Sequence, residues 1–356
     1  MQPRLIPFLR YSAPLLSPGV WLVTAGVSCS VASAQVAGDW AKHFRLGTQV
    51  ALNIKADFSM GGQFGISGNN PGATGVPQTD HVYDDGYVKV DQTGNAQGYT
   101  SYWGYSNASQ YDGASTLTMH SSRSFSAAEN STRASGDPNV GLDMAYGAEL
   151  AVWKRTLIGW DFGFSYLPIK IQDRRSMSTT TLRTTHTFQT GGIQLPGEDY
   201  AGGNSGIGPG ISDEATPAAD GPPLASTLTG PRSVDVTLYN FRLGPTAYWD
   251  LGSRLALQAS AGFAMGLIDG AYKYNEQIVN SDGTGSPNSG SINMRDTVYG
   301  GYVNTTLMWR THERADIYVG AQFMTLGNSR VSGPGRSAEL QLGRGIYFSA
   351  GINWPF

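Results

Sequence analysis

The stretch His120-Ser121-Ser122 sets a base beside two hydroxyls, and Asp80, Asp84, Asp85 and Asp91 precede it. A hydrolytic dyad needs the hydroxyl within hydrogen-bond reach of the imidazole and a third group to orient the ring. Successive side chains on a strand point to opposite faces, so His120 and Ser121 do not meet. His120 and Ser122 share a face but stand about 7 Å apart. The remaining histidines are His43, His81, His186 and His312. No catalytic residue is assigned, and the chain is not expected to be an enzyme. The four aspartates do not keep EF-hand spacing, and no zinc, Walker or dinucleotide pattern occurs, so no metal or cofactor is expected. Tyr99, Tyr102, Trp103, Tyr105 and Tyr111 form an aromatic cluster suited to packing within a loop or to a sugar- or protein-binding surface.

A second group of polar residues is set out by parity. Arg45, Lys55, Asp57, Asp143, Glu149, Asp161, Arg242, Asp296 and Glu339 each occupy the alternate positions of a run whose other positions are apolar. If those runs are strands, the nine charges share one face, and both signs are present. Unpaired charges in a narrow, poorly hydrated space are costly, so they are expected to pair. Two outcomes stay open: a polar plug, or a constricted charge-lined pore.

The elements that must hold them are strands. Phe44 to Phe58 alternates over fifteen positions, longer than a soluble sandwich strand of about five or six. Similar alternation spans 140–153, Ile158 to Tyr166, 235–249, Leu255 to Leu267, Tyr299 to Trp309, Ile317 to Phe323 and a carboxy-terminal segment from Ala338, eight segments in all. Pro168 cannot donate to a ladder and is expected to mark a bulge. Short turns after the second, fourth and sixth segments alternate with longer polar connections at 61–138, 173–233, 271–293 and 329–337. Within the first two, 83–91, 99–105, 116–125 and 176–190 read as short strands or upward extensions, and 191–232 as irregular. Ten membrane-crossing strands remain an alternative to eight.

Trp40, Trp153, Trp249, Trp309 and Trp354 lie beside the short turns or the chain's ends, and so map to one end of the structure. Amphipathic aromatics prefer the membrane–water interface. No run of eighteen apolar residues exists, and only 14% of residues are charged, which suits a fold that spreads its apolar residues by alternation. Residues 1–34 read as a signal peptide: Arg4 and Arg10, an apolar segment, then Ala32-Ser33-Ala34. Its removal takes away the single cysteine, Cys29, and moves the formal charge from −3 to −5. An acidic chain makes nucleic acid an improbable partner.

The terminal strand Ile346 to Phe356, with Phe356, Trp354, Ile352, Ala350, Phe348 and Ile346 on one face, resembles the closing strand of bacterial outer-membrane β-barrels. Together with the signal peptide it makes the chain similar to the small barrels of the OmpA, OmpX and OmpW type. The resemblance implies an all-β, antiparallel up-and-down transmembrane β-barrel, most simply of eight strands, over 35–356, with 61–138 and 173–233 as long extracellular loops. It further implies a Gram-negative outer-membrane location and the five tryptophans as a periplasmic girdle. Phe356 would be the assembly signal read by the barrel-assembly machinery. Partners would be outer-membrane lipids, lipopolysaccharide and a possible extracellular ligand. No peptidoglycan-binding domain follows Phe356, so cell-wall anchoring is not implied. The role expected is structural or surface interaction, with a narrow porin-like channel and a lipid-modifying enzyme as alternatives. Arg344 falls at the outer headgroup level, where it either meets lipid phosphates or is simply solvated.

Overall fold

The computed structural model describes residues 42–65, 80–90, 97–154, 156–196, 199–203, 207–216, 219–252, 254–312 and 315–356. The signal segment and Trp40 lie outside them. No helix is long and apolar enough to cross a membrane among the described residues. The chain is built from antiparallel strands.

In chain order the principal strands are β1 (Lys42–Leu52), β2 (Lys55–Gly65), β3 (Thr116–Ser135), β4 (Asn139–Trp153), β5 (Thr156–Asp173), β6 (Met177–Gln189) and β7 (Leu224–Thr229). They continue as β8 (Arg232–Asp250), β9 (Leu255–Asn280), β10 (Gly285–His312), β11 (Ala315–Leu326), β12 (Ser329–Gly333), β13 (Arg336–Gln341) and β14 (Gly345–Pro355). Eight of them close a ring in the order β1-β4-β5-β8-β9-β10-β11-β14, and β14 pairs back onto β1. Closure matters because it leaves no edge strand in that ring. The last bonds are made at the chain's end: Lys42 and Phe356 exchange both backbone hydrogen bonds, at 3.0 and 2.9 Å.

A second tier continues the same walls. There β9 pairs β7 in place of β8, and the order runs β10-β9-β7-β6-β3-β2-β13-β12. No ladder joins β10 to β12, so this tier is an open ring. Its crown is a small sheet of Asp80–Val82, Gly86–Lys89, Trp103–Tyr105 and Tyr200–Ala201.

The tiers have opposite polarity. In the lower ring large apolar side chains point outward and are exposed: Leu142, Phe162, Leu243, Phe263, Val303, Val319 and Phe348 are examples. In the upper tier the apolar side chains point inward. Ile54, Phe58, Met60, Ile169, Ile171, Val234, Val236, Ile268, Tyr272, Met294 and Leu340 form one buried cluster. Two routes produce the exchange. On β9 the strand is unbroken and the sequence pattern changes: outward Phe263, Met265 and Leu267 give way to outward Asp269 and Lys273, while Ile268 and Tyr272 turn in. On β1 and β2 the sequence pattern is unbroken and the strand turns over. Asn53 adopts φ +65°, a left-handed conformation that Asn tolerates better than most residues. Leu52 below it faces out and Ile54 above it is fully buried.

Several expectations are corrected here. Phe44 to Phe58 is two strands, because Asn53 reverses the faces. Within 61–138 and 173–233, the stretches 116–125 and 176–190 that read as short strands or upward extensions lie in β3 and β6; β7 is a further strand in 191–232, which read as irregular, and 271–293 is mostly strand in β9 and β10. Pro168 makes no bulge: it faces Thr237 in an unshifted ladder with β8. The ladder between β4 and β5 ends at Tyr166, so no bond on that side needs a donor from Pro168. Register shifts lie instead between Glu149 and Ala151, between Met60 and Gly62, and between Arg310 and His312.

Candidate functional site

The interior of the lower ring is a polar layer made by inward positions of neighbouring walls. Arg45 on β1 reaches across to Asp161 on β5, and its Nη1 donates to Gln258 Oε1 at 2.9 Å and Thr306 Oγ1 at 3.3 Å. Arg242 on β8 pairs with Asp143 on β4 and donates to Gln322 on β11. All four charged groups are buried. Each guanidinium lies over a tyrosine ring: Arg45 over Tyr318 and Arg242 over Tyr302, both at 5.9 Å. Small inward residues make the room. An ideal Cβ on Gly163 would stand 2.6 Å from the Arg242 guanidinium. The cavity left among Arg45, Asp143, Asp161, Arg242, Tyr302 and Tyr318 is about 10 Å³, space for one water.

Below this layer the ring opens into a vestibule of about 290 Å³, lined by Lys42, His43, Glu149, Tyr248, Arg310 and Asp316 among others. Above it stands the apolar core of the upper tier. Higher still is a second ionic layer that sequence reading missed. Arg232 Nε donates to Asp173 Oδ2 at 3.1 Å and its Nη1 to Glu276 Oε1 at 3.1 Å. Arg336 completes the chain onto Glu276, with its guanidinium 4.0 Å from the Tyr274 ring centroid. Burial pushes the Asp173 carboxyl up, but hydrogen bonds from Thr132 and Arg175 and the Arg232 charge win and hold it at about 2. These residues lie in or beside stretches that read as loops. The available signal was Arg232 itself, which continues the inward parity of Val234, Val236 and Leu238.

The nine parity charges therefore divide. Arg45, Asp143, Asp161 and Arg242 meet inside the lower ring. Glu149 lines the vestibule and makes no ion pair among the described residues. Lys55, Asp57 and Glu339 lie on the outer face, because the chain turns over at Asn53 and again between Leu342 and Gly345. Asp57 there takes a two-pronged hydrogen bond from Arg133, at 2.6 and 2.9 Å. Asp296 is exposed, on the part of β10 that has no second ladder partner. Trp153, Trp249, Trp309 and Trp354 all sit at the short-turn end of the ring, where Phe44 stacks on Trp354 at 6.0 Å.

His81, His120 and His186 form a separate cluster at the crown, while His43 lines the vestibule and His312 ends β10. His120 Nδ1 lies 2.6 Å from Asp85 Oδ2, and the His120 backbone N–H donates to Asp85 Oδ1 at 2.8 Å. Ser121 Oγ meets a different histidine, His186 Nε2, at 2.8 Å. The pairing is diagonal across β3 and β6, where Ser121 faces Thr184 two residues before His186. Burial, then the neighbouring His81 and His120, push the His186 imidazole below its ordinary value. Among the described residues no carboxylate hydrogen-bonds that imidazole, so the third member of a triad is missing. The aspartates hold no candidate metal site among the described residues. Trp103 and Tyr105 are buried in the crown's own core with Val88, Leu117, Met119 and Phe188, while Tyr99 is exposed.

No family model matches the chain, and no curated protein matches it. Among solved structures, Ail of Yersinia pestis, in complex with the heparin analogue sucrose octasulfate, is 8% identical with a TM-score of 0.27, covering 89% of this chain and 99% of that one. The outer membrane protease OmpT of Escherichia coli is 9% identical with a TM-score of 0.24, covering 91% and 99%. A FadL homologue of Pseudomonas aeruginosa is 8% identical with a TM-score of 0.19, covering 88% and 90%. With every TM-score below 0.5, none of the three supplies a function.

Proposed function

We propose that the chain is an integral outer-membrane β-barrel protein whose lower ring crosses the membrane with an occluded interior, and whose upper tier and crown form a rigid surface for interaction outside the cell. The observation that carries this reading is the inversion of polarity at one level around the wall. Outward residues on β9 are apolar from Leu255 to Leu267 and mostly hydrophilic above it, with Asp269, Lys273, Asn275 and Gln277. Thirteen residues extend about 40 Å along a strand, or near 30 Å of height at the usual tilt, the thickness of a bilayer's hydrocarbon core. The inside changes in the opposite sense at that level, as it must when the solvent outside changes from lipid to water.

A structural and interaction role is favoured over a channel because three filled layers stand in the path: the Arg45–Asp161 and Arg242–Asp143 layer, the apolar core, and the Arg232–Asp173–Glu276–Arg336 layer. The short-turn end would face the periplasm, the tryptophans would lie at that interface, and Phe356 would be the signal for assembly. The test is expression in a Gram-negative host. Outer-membrane fractionation, heat-modifiable gel migration, and cleavage of the upper tier by protease added to whole cells are expected. Planar-bilayer recordings of the pure protein should lack steady openings, and large steady conductance would favour the channel instead. Recovery as a soluble protein without heat-modifiable migration would overturn the reading.

A further inference from the structure

The level at which outward residues change from apolar to polar carries an uneven distribution of charge. On the side formed by β8, β9 and β10 the cations there are matched by acids: Lys273 Nζ is 3.9 Å from Asp235, and Arg295 Nε is 2.6 Å from Asp269. The adjoining arc, from the start of β14 and of β2 round to the top of β5, carries Lys55, Lys170, Arg174 and Arg344. None of these four makes an ion pair among the described residues, and Lys170, Arg174 and Arg344 are exposed.

The backbone places them together. Asn53 Nδ2 donates to the Arg344 carbonyl oxygen at 2.8 Å, which sets Arg344 beside the start of β2. Lys55 stands opposite Ser135. The next residue, Gly136, lies against Lys170: an ideal Cβ there would be 2.6 Å from the Lys170 carbonyl oxygen. Two strand spacings of about 4.8 Å therefore separate the walls of Lys55 and Lys170. The nearby acids are occupied: Asp57 by Arg133, Asp137 by the backbone amides of Asn53 and Ile54, Glu339 by Asn328, and Asp235, which stands across the ladder from Lys170, by Lys273. Directly below, Ile346, Leu52, Val140 and Tyr166 offer apolar wall.

We propose that this arc binds the phosphate groups of an outer-leaflet glycolipid, whose acyl chains lie down the apolar wall beneath it. Four unmatched cations above a hydrocarbon-facing surface complement a lipid with more than one phosphate on a multi-chain anchor. Guanidinium groups add forked hydrogen bonds to phosphate oxygens. The proposal rests on the outer-membrane reading.

The test inserts the full mature chain into phosphatidylcholine vesicles doped with bisphosphorylated lipid A and reads bound glycolipid by native mass spectrometry. The wild-type protein is expected to prefer bisphosphorylated over dephosphorylated lipid A. The variant K55Q/K170Q/R174Q/R344Q should bind at least tenfold more weakly, and K273Q/R295Q, which removes matched cations, should bind as the wild type does. Equal loss in both variants, or no preference for the phosphorylated lipid, overturns the arc. In that case heat-modifiable wild-type protein in the same vesicles leaves the membrane reading standing. A wild-type chain that never inserts overturns both.

Discussion

Asn53 Nδ2 donates to the carbonyl oxygen of Arg344 at 2.8 Å, and so joins two of the places where neighbouring walls exchange their inner and outer faces. Asp137, at the corresponding break between β3 and β4, accepts from the amides of Asn53 at 2.8 Å and Ile54 at 3.2 Å. Three adjacent reversals are thus bonded to one another, and the reversal happens at one height rather than at three. Asn53→Ala loses the side-chain bond and puts a less tolerant residue at φ +65°. The expected cost is about 2 kcal/mol, with Asn53→Gly milder because glycine accepts the backbone conformation. Urea unfolding midpoints in detergent check the order.

The lower polar layer is expected to behave as a paired burial. Arg45→Met leaves the buried Asp161 carboxylate with only His43 at 3.5 Å and Gln258 at 3.4 Å and should destabilise by about 3–5 kcal/mol, whereas Arg45→Met with Asp161→Leu should recover most of that loss. A double-mutant cycle on the same unfolding assay measures the coupling, and additive single effects would refute the pairing.

Acid should strike the upper ionic layer. The folded Asp173 carboxyl titrates at about 2, below its unfolded value near 3.9. Its contribution is therefore present above about pH 4 and is lost as pH falls through 2. Asp173→Asn should lower stability at neutral pH and flatten the acid limb between those values. An unchanged acid limb would show that Asp173 is not the group responsible.

Ser121 and His186 give the crown a milder pH dependence. The folded imidazole is depressed, so below the unfolded value of about 6.5 the unfolded chain binds the extra proton and crown stability declines until the folded group titrates. His186→Gln keeps a side-chain partner for Ser121 and removes that decline. Limited proteolysis within 97–125 across pH 7 to 5 reads it, and a decline identical in both proteins would show that His186 is not the group responsible.

Period-two patterning on its own named an all-β antiparallel chain and located the wall segments of the lower ring. It also gave the outward face of each, because a strand buried on one side and lipid-facing on the other leaves a mark at every second residue. Arg45, Asp143, Asp161 and Arg242 could be grouped that way before any contact was known. The same rule misplaced Lys55, Asp57 and Glu339, since parity is continuous in sequence across Asn53 and across Leu342–Gly345 while the backbone turns over. A local left-handed residue is almost invisible in an alternating pattern that stays in step with it.

Only the folded chain decides which solvent an apolar face meets. Leu52 and Ile54 belong to one even-numbered apolar series, yet one lies on the outer surface and the other in a dry core. Ser121 finds His186 rather than its neighbour His120 because β3 and β6 lie side by side. Hydrophobic alternation fixes that a strand has two unlike sides. Which side turns inward, and which distant partners close the ring, is set by long-range pairing between β14 and β1 and by the hydrogen bonds gathered at the level of Asn53.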